Sequence, residues 1–155
     1  MKIRFDRKDS SRWLTFGLMT AALHFVWEMG QGGWFASMER FSFWRATGLC
    51  ARAAAGDVVI TVIAFAIAAT AAGSLRWPAE SHQSVLPFAI FIATGLAITV
   101  AYEIHAVAVG EWSYAEAMPT IAGVGVLPIL QWLVIPIAEL AVFRLLWRTP
   151  RLGSL

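Results

Sequence analysis

The chain has 155 residues, 59% of them hydrophobic and 14% charged, against roughly 25% charged in an ordinary soluble domain. A net charge of +2 with most basic residues outside the apolar runs suits membrane topology and argues against a nucleic-acid partner. The lone cysteine, Cys50, excludes an internal disulfide and a cysteine-built metal cluster.

Four apolar stretches are long enough to span a bilayer and fill most of the sequence, so one membrane domain is expected, with no soluble domain beside it. The fold class is therefore an all-α integral membrane protein, a four-helix transmembrane bundle. Residues 1–12 carry Lys2, Arg4, Arg7, Lys8 and Arg12. They read as a cytoplasmic anchor and not as a signal peptide, because the following apolar run continues without a cleavage site. The first span covers about 13–35 and leaves through Gly30, Gln31, Gly32 and Gly33. Residues 38–52 mix Glu39, Arg40, Arg45 and Arg52 with Phe41, Phe43 and Trp44, as an interfacial segment does.

The second span, about 53–73, is rich in Ala and Gly and carries Asp57 near its expected start. A polar loop with Trp77-Pro78, Glu80, Ser81, His82 and Gln83 leads to the third span, about 85–109, which holds Glu103 and His105. The loop 110–119, GEWSYAEAMP, precedes the fourth span, about 120–147, with Pro128, Gln131, Pro136 and Glu139. Nine of the twelve Lys and Arg fall on the tails and the second loop. The positive-inside rule then puts both termini in the cytoplasm. Abundant Ala and Arg suggest a bacterial cytoplasmic (inner) membrane as the location.

Within this apolar chain the first span is anomalous. His24, Glu28 and Gln31 are spaced by four and three, so they share one helical face. An ionisable group near the centre of a span costs on the order of 2.5–3.5 kcal/mol by insertion scales and usually marks a site. Rise per residue puts His24 at mid-membrane, with Glu28, Asp57 and Glu103 in the outer leaflet. On the same count Glu139 falls near the cytoplasmic end, within reach of the basic tail. Glu103 and His105 cannot both face one interior. Glu103 is expected to point in, because a carboxylate facing lipid costs more than a neutral histidine.

The candidate catalytic residues are thus His24, Glu28, Asp57 and Glu103. Trp27, Gln31, Trp34, Tyr102, Trp112 and Gln131 are the candidate substrate-binding residues. For each there is a structural alternative: a buried hydrogen-bonded pair, a salt bridge to Arg45 or Arg52 for Asp57, a repaired proline kink for Gln131, or an interfacial aromatic belt for Trp112. No cofactor and no metal is expected, since no HExxH-type or His-rich motif is present.

The segment LHFVWEMGQGGWF, 13 of the 155 residues, locally resembles the H-x-x-x-E element of the emopamil-binding and sterol isomerase family. Those small helical membrane proteins move protons on an apolar substrate bound between helices. The resemblance implies His24 and Glu28 as site residues, with Glu103 or Asp57 as a second acid. This chain has four expected spans where that family has more, so the likeness is one of chemistry.

Three functions remain open from the sequence. One is acid/base (isomerase- or cyclase-like) chemistry on a lipid or isoprenoid-like substrate. Another is a structural or assembly subunit that joins a homo- or hetero-oligomer through Gly/Ala helix faces. The third is a small proton- or cation-coupled carrier. The bilayer is a partner in all three.

Overall fold

The computed structural model describes residues 7–36, 38–80 and 85–147. Lys2, Arg4, Arg148 and Arg151 of the tails, the side chains of Arg7 and Lys8, and Ser81, His82 and Gln83 of the second loop lie outside the described residues. Four long helices dominate: α1 (Arg7–Gln31), α2 (Phe43–Ala72), α3 (Val85–Ala108) and α4 (Val126–Trp147). α2, α3 and α4 are each long and apolar enough to cross a membrane. At 25 residues α1 is long enough too, but His24, Glu28 and Gln31 hold its mean hydropathy down.

Local chemistry sets the helix ends. The Ser42 hydroxyl accepts a hydrogen bond from the Arg45 N–H at 3.4 Å and caps the start of α2. α2 ends at Gly73, whose φ of 69° closes a turn in which the Gly73 and Ser74 amides donate to the carbonyls of Thr70 and Ala69. α3 ends in the same way at Gly110, where the Glu111 amide reaches the Ala106 carbonyl at 2.8 Å.

Three helix starts differ from the sequence expectation: α1 begins at Arg7, six residues before the expected span, and α2 and α4 are shifted as well. α2 begins at Phe43, so most of the expected interfacial segment 38–52 is helix; only a short 3-10 turn, Met38–Arg40, precedes it. The arginines there are helical surface residues: Arg52 pairs with Glu111 at 3.0 Å and Arg45 lies over the Phe41 ring at 4.2 Å. α4 begins at Val126 and not near 120, because residues 120–125 form a hairpin of β1 (Thr120–Ile121) and β2 (Val124–Gly125). Its turn residues, Ala122 and Gly123, both have positive φ, 51° and 82°, as a type I′ turn requires. Pro128 thus sits in the first turn of α4, where a missing N–H costs nothing, and only Pro136 lies inside the helix.

α1 packs on α2 and α4, and α3 packs on the same two helices, so the four elements form a ring. The two ends of this ring have different contents. At the end bearing the start of α1 and the finish of α4, the interior is aromatic. Phe16, Phe65, Trp77, Phe91, Phe143 and Trp147 are buried together. Phe143 and Trp147 stack at 4.1 Å, and Trp13 meets Trp147 edge-on at 4.9 Å. Outward-facing positions are apolar all round, with Leu18, Val26, Val59, Leu86, Ile104 and Ile137 exposed.

Candidate functional site

The middle of the ring holds polar side chains from three helices. His24 of α1 is fully buried. Its Nδ1 lies 2.9 Å from Gln131 Nε2 of α4 and 3.5 Å from Asp57 Oδ2 of α2. Its Nε2 lies 3.2 Å from Thr61 Oγ1 and 3.3 Å from Glu139 Oε1. The Gln131 amide nitrogen also donates to Asp57 Oδ2 at 2.7 Å. A carboxylate oxygen can only accept, so the amide NH₂ faces both Asp57 and His24. The imidazole then offers its Nδ1 lone pair to Gln131 and carries its proton on Nε2.

Glu28 is one turn further along the His24 face of α1. It faces Asp57, Gln131 and His24, and it accepts a hydrogen bond from Gln31 Nε2 at 2.7 Å. Gln31 Oε1 in turn accepts from the Trp27 indole at 3.1 Å. This last link reaches the surface. Trp27, Gln31 and Trp34 line an open, mostly apolar groove of about 470 Å³ between α1 and α4, together with Met19, Leu23, Val26, Gly30, Leu127 and Ile135. Gln31 therefore links the laterally open groove to Glu28, which faces the buried cluster.

Trp132 bounds the cluster on another side, its ring 5.9 Å from the imidazole. It fits only because residue 95 is glycine. A Cβ there would stand 1.9 Å from the indole. Among the described residues no group of three or more His, Cys, Asp or Glu side chains is arranged to hold a metal ion.

His24, Glu28, Asp57 and Gln131 thus come together. Gln31 and Trp27 extend them to the groove, which Trp34 also lines. Glu103 does not join this cluster. It is buried, as expected from its opposition to the exposed His105, but its carboxylate accepts from Tyr114 OH at 2.5 Å and the Trp112 indole at 3.3 Å. The loop folds back over the end of α3 and takes the carboxylate for itself. Backbone bonds then tie this loop to the segment after α1: the Ala36 amide donates to Ser113 and the Ala115 amide to the Trp34 carbonyl. Outside the helices, the Tyr114 phenol is pushed up to about 12, by burial first and by its bond to Glu103 second. Tyr102 is 49% exposed and meets the Trp112 ring at 5.5 Å, away from the cluster.

Asp57 and Glu139 lie at other helix positions than expected. Asp57 is the fifteenth residue of the 30 in α2, at mid-helix and level with His24, and it makes no bond to Arg45 or Arg52. Glu139 is the fourteenth of 22 in α4 and completely buried against His24, and it forms no ion pair with an arginine among the described residues. Arg144 instead donates to the Pro78 carbonyl at 2.8 Å. Both errors follow from the misplaced helix starts. Glu139 was missed as a site residue, although Gln131, Ile135 and Glu139 repeat at four-residue spacing on one helical face. Thr61 gave no such signal. Comparison with protein-family models, curated proteins and solved structures returns no match to this chain.

Proposed function

We propose that this is a four-span membrane protein, with both termini on the cytoplasmic side of a bacterial cell membrane, that performs acid/base chemistry on a lipid or isoprenoid-like substrate. The outward face of α1 supports counting it as a span. Leu14, Leu18 and Val26 point outward while its polar residues turn inward. The nine-to-three distribution of Lys and Arg supports the orientation.

The observation that carries the enzymatic reading is the hydrogen bond from groove-lining Gln31 to Glu28. An apolar chain lying in the groove would meet the Trp27 and Trp34 rings. Displacement of the Gln31 amide would bring its reacting carbon to Glu28, the proton donor or acceptor. Asp57, Gln131 and His24 would then resupply or remove the proton. Carboxylates held in a water-poor interior also stabilise a developing cation far better than they would in water. General acid–base catalysis of this kind contributes typically 10²–10⁴-fold.

A transmembrane carrier needs a polar path through both ends. The aromatic packing of Trp13, Phe143 and Trp147 closes one end and speaks against it. An assembly subunit is the second reading, supported by Gly48 and Gly56 on the open face of α2, where added side chains would meet nothing. Untargeted lipid analysis separates the readings. Cells making the protein should show a changed pool of one apolar lipid relative to cells lacking it. Cells making Glu28→Gln at equal membrane abundance should not. Identical profiles in all three would sink the enzymatic reading, and a partner protein lost from Gly56→Leu membranes would favour the second.

A further inference from the structure

Glu139 is the buried group that the proposed chemistry leaves unused. Its side chain is fully buried, and neither carboxylate oxygen accepts a hydrogen bond from the described residues by distance and angle together. Stripping a carboxylate of water costs several kcal/mol unless a donor replaces the water. One donor is close: His24 Nε2, 3.3 Å from Oε1. Gln131, by donating to Asp57 and to Nδ1, leaves the imidazole proton on that same Nε2. Below Glu139, Leu140 and Phe143 belong to the aromatic core, so the chain of polar groups ends at this carboxylate.

We propose that Glu139 is the positioning residue of His24. Its carboxylate, 3.3 Å from Nε2, attracts the Nε2 proton by charge and so favours the ring with the Nδ1 lone pair toward Gln131 and Asp57, the side from which Glu28 leads to the groove. Thr61, 3.2 Å from Nε2, flanks the same proton and limits ring rotation. The two arms act together: an amide donor on Nδ1 and a carboxylate charge beside Nε2 favour a single neutral tautomer, as the other-nitrogen partner does for any histidine. The role in turnover rests on the acid/base reading above; the tautomer itself does not.

The test is ¹⁵N nuclear magnetic resonance on histidine-labelled protein in lipid nanodiscs. His82→Gln and His105→Gln are introduced in the background so that only His24 reports. The parent should show a protonated Nε2 and an unprotonated Nδ1. Glu139→Gln keeps an acceptor oxygen. It should retain that tautomer while the Nε2–H resonance shifts, because a neutral amide replaces the carboxylate. Glu139→Leu removes the carboxylate but leaves Gln131 on Nδ1 and Thr61 beside Nε2, so the Nε2–H tautomer should persist with a larger resonance shift than in Glu139→Gln. A proton on Nδ1 in the parent, or an unmoved Nε2–H resonance in Glu139→Gln, overturns the proposal. If Glu139→Leu does not fold, the Gln variant decides alone. The readout needs no substrate, so absent turnover would count against the enzymatic reading and leave the assignment of Glu139 standing.

Discussion

The two halves of the helix ring solve opposite problems with the same helices. One half is filled by aromatic rings in edge and stacked contact. The other half collects His24, Glu28, Asp57, Gln131 and Glu139 and satisfies most of them against one another. The switch happens within one or two turns. On α1, Phe16 and His24 are two turns apart, and on α4 Glu139 and Phe143 are one turn apart. In a bilayer, where lipid is as apolar as a leucine side chain, association gains little from the hydrophobic effect. The aromatic half then supplies close packing, and the polar half supplies interhelical hydrogen bonds.

Substitutions that break this division should differ in kind. The largest stability effect is expected in the aromatic half. Phe143→Ala removes a completely buried ring and should cost about 3–5 kcal/mol, read as steric-trap or denaturant unfolding in detergent, while the groove beside Trp27 stays intact. Gly95→Ala comes next. The added methyl collides with Trp132, and overpacking of this type costs typically 1–3 kcal/mol. Because Trp132 abuts His24, this variant should disturb both halves. Gly30→Leu sharpens the contrast from the other side. It fills the groove at a position with nothing within 4 Å. It should change stability by less than about 1 kcal/mol and still abolish the lipid change expected of the parent.

The smallest effect lies in the loop. Ionising Tyr114 is opposed by burial and by Glu103, which raises its phenol from 10 to about 12. An acid with a raised folded-state value contributes stability that is fully present below pH 10 and is lost as pH climbs through 12. In Tyr102→Phe protein, where Tyr114 is the remaining tyrosine, phenolate absorbance should therefore develop near pH 12, with loosening of the loop. Phenolate forming near pH 10 would mean that Tyr114 is not held by Glu103.

The sequence made some of this legible, and the limit can be located residue by residue. α3 was expected over about 85–109 and is found at Val85–Ala108, because an unbroken apolar run leaves no competing reading. The face shared by His24, Glu28 and Gln31 was readable from spacing alone. The start of α2 was not, because Arg45 and Arg52 among aromatics look the same at a lipid interface and on an exposed helix. The Ser42 cap was present but has many false counterparts in any sequence. The hairpin before α4 hid inside an apolar run, as Ala122 with a positive φ carries no turn signature of its own. These two misplaced starts shifted the helix positions of Asp57 and Glu139, and with them the expected partners. The diversion of Glu103 to Tyr114 and Trp112 depends on how a loop folds back, which spacing does not encode.

The central claim is that the polar half delivers protons to an apolar molecule lying in the α1–α4 groove. Deuterium transfer tests it most directly. Purified protein in vesicles of native lipid extract, suspended in D₂O, should place deuterium at carbon in one apolar lipid, detected by mass spectrometry. Glu28→Gln in the same vesicles should place none. Absence of the label with the parent protein, or equal label with Glu28→Gln, would contradict the account.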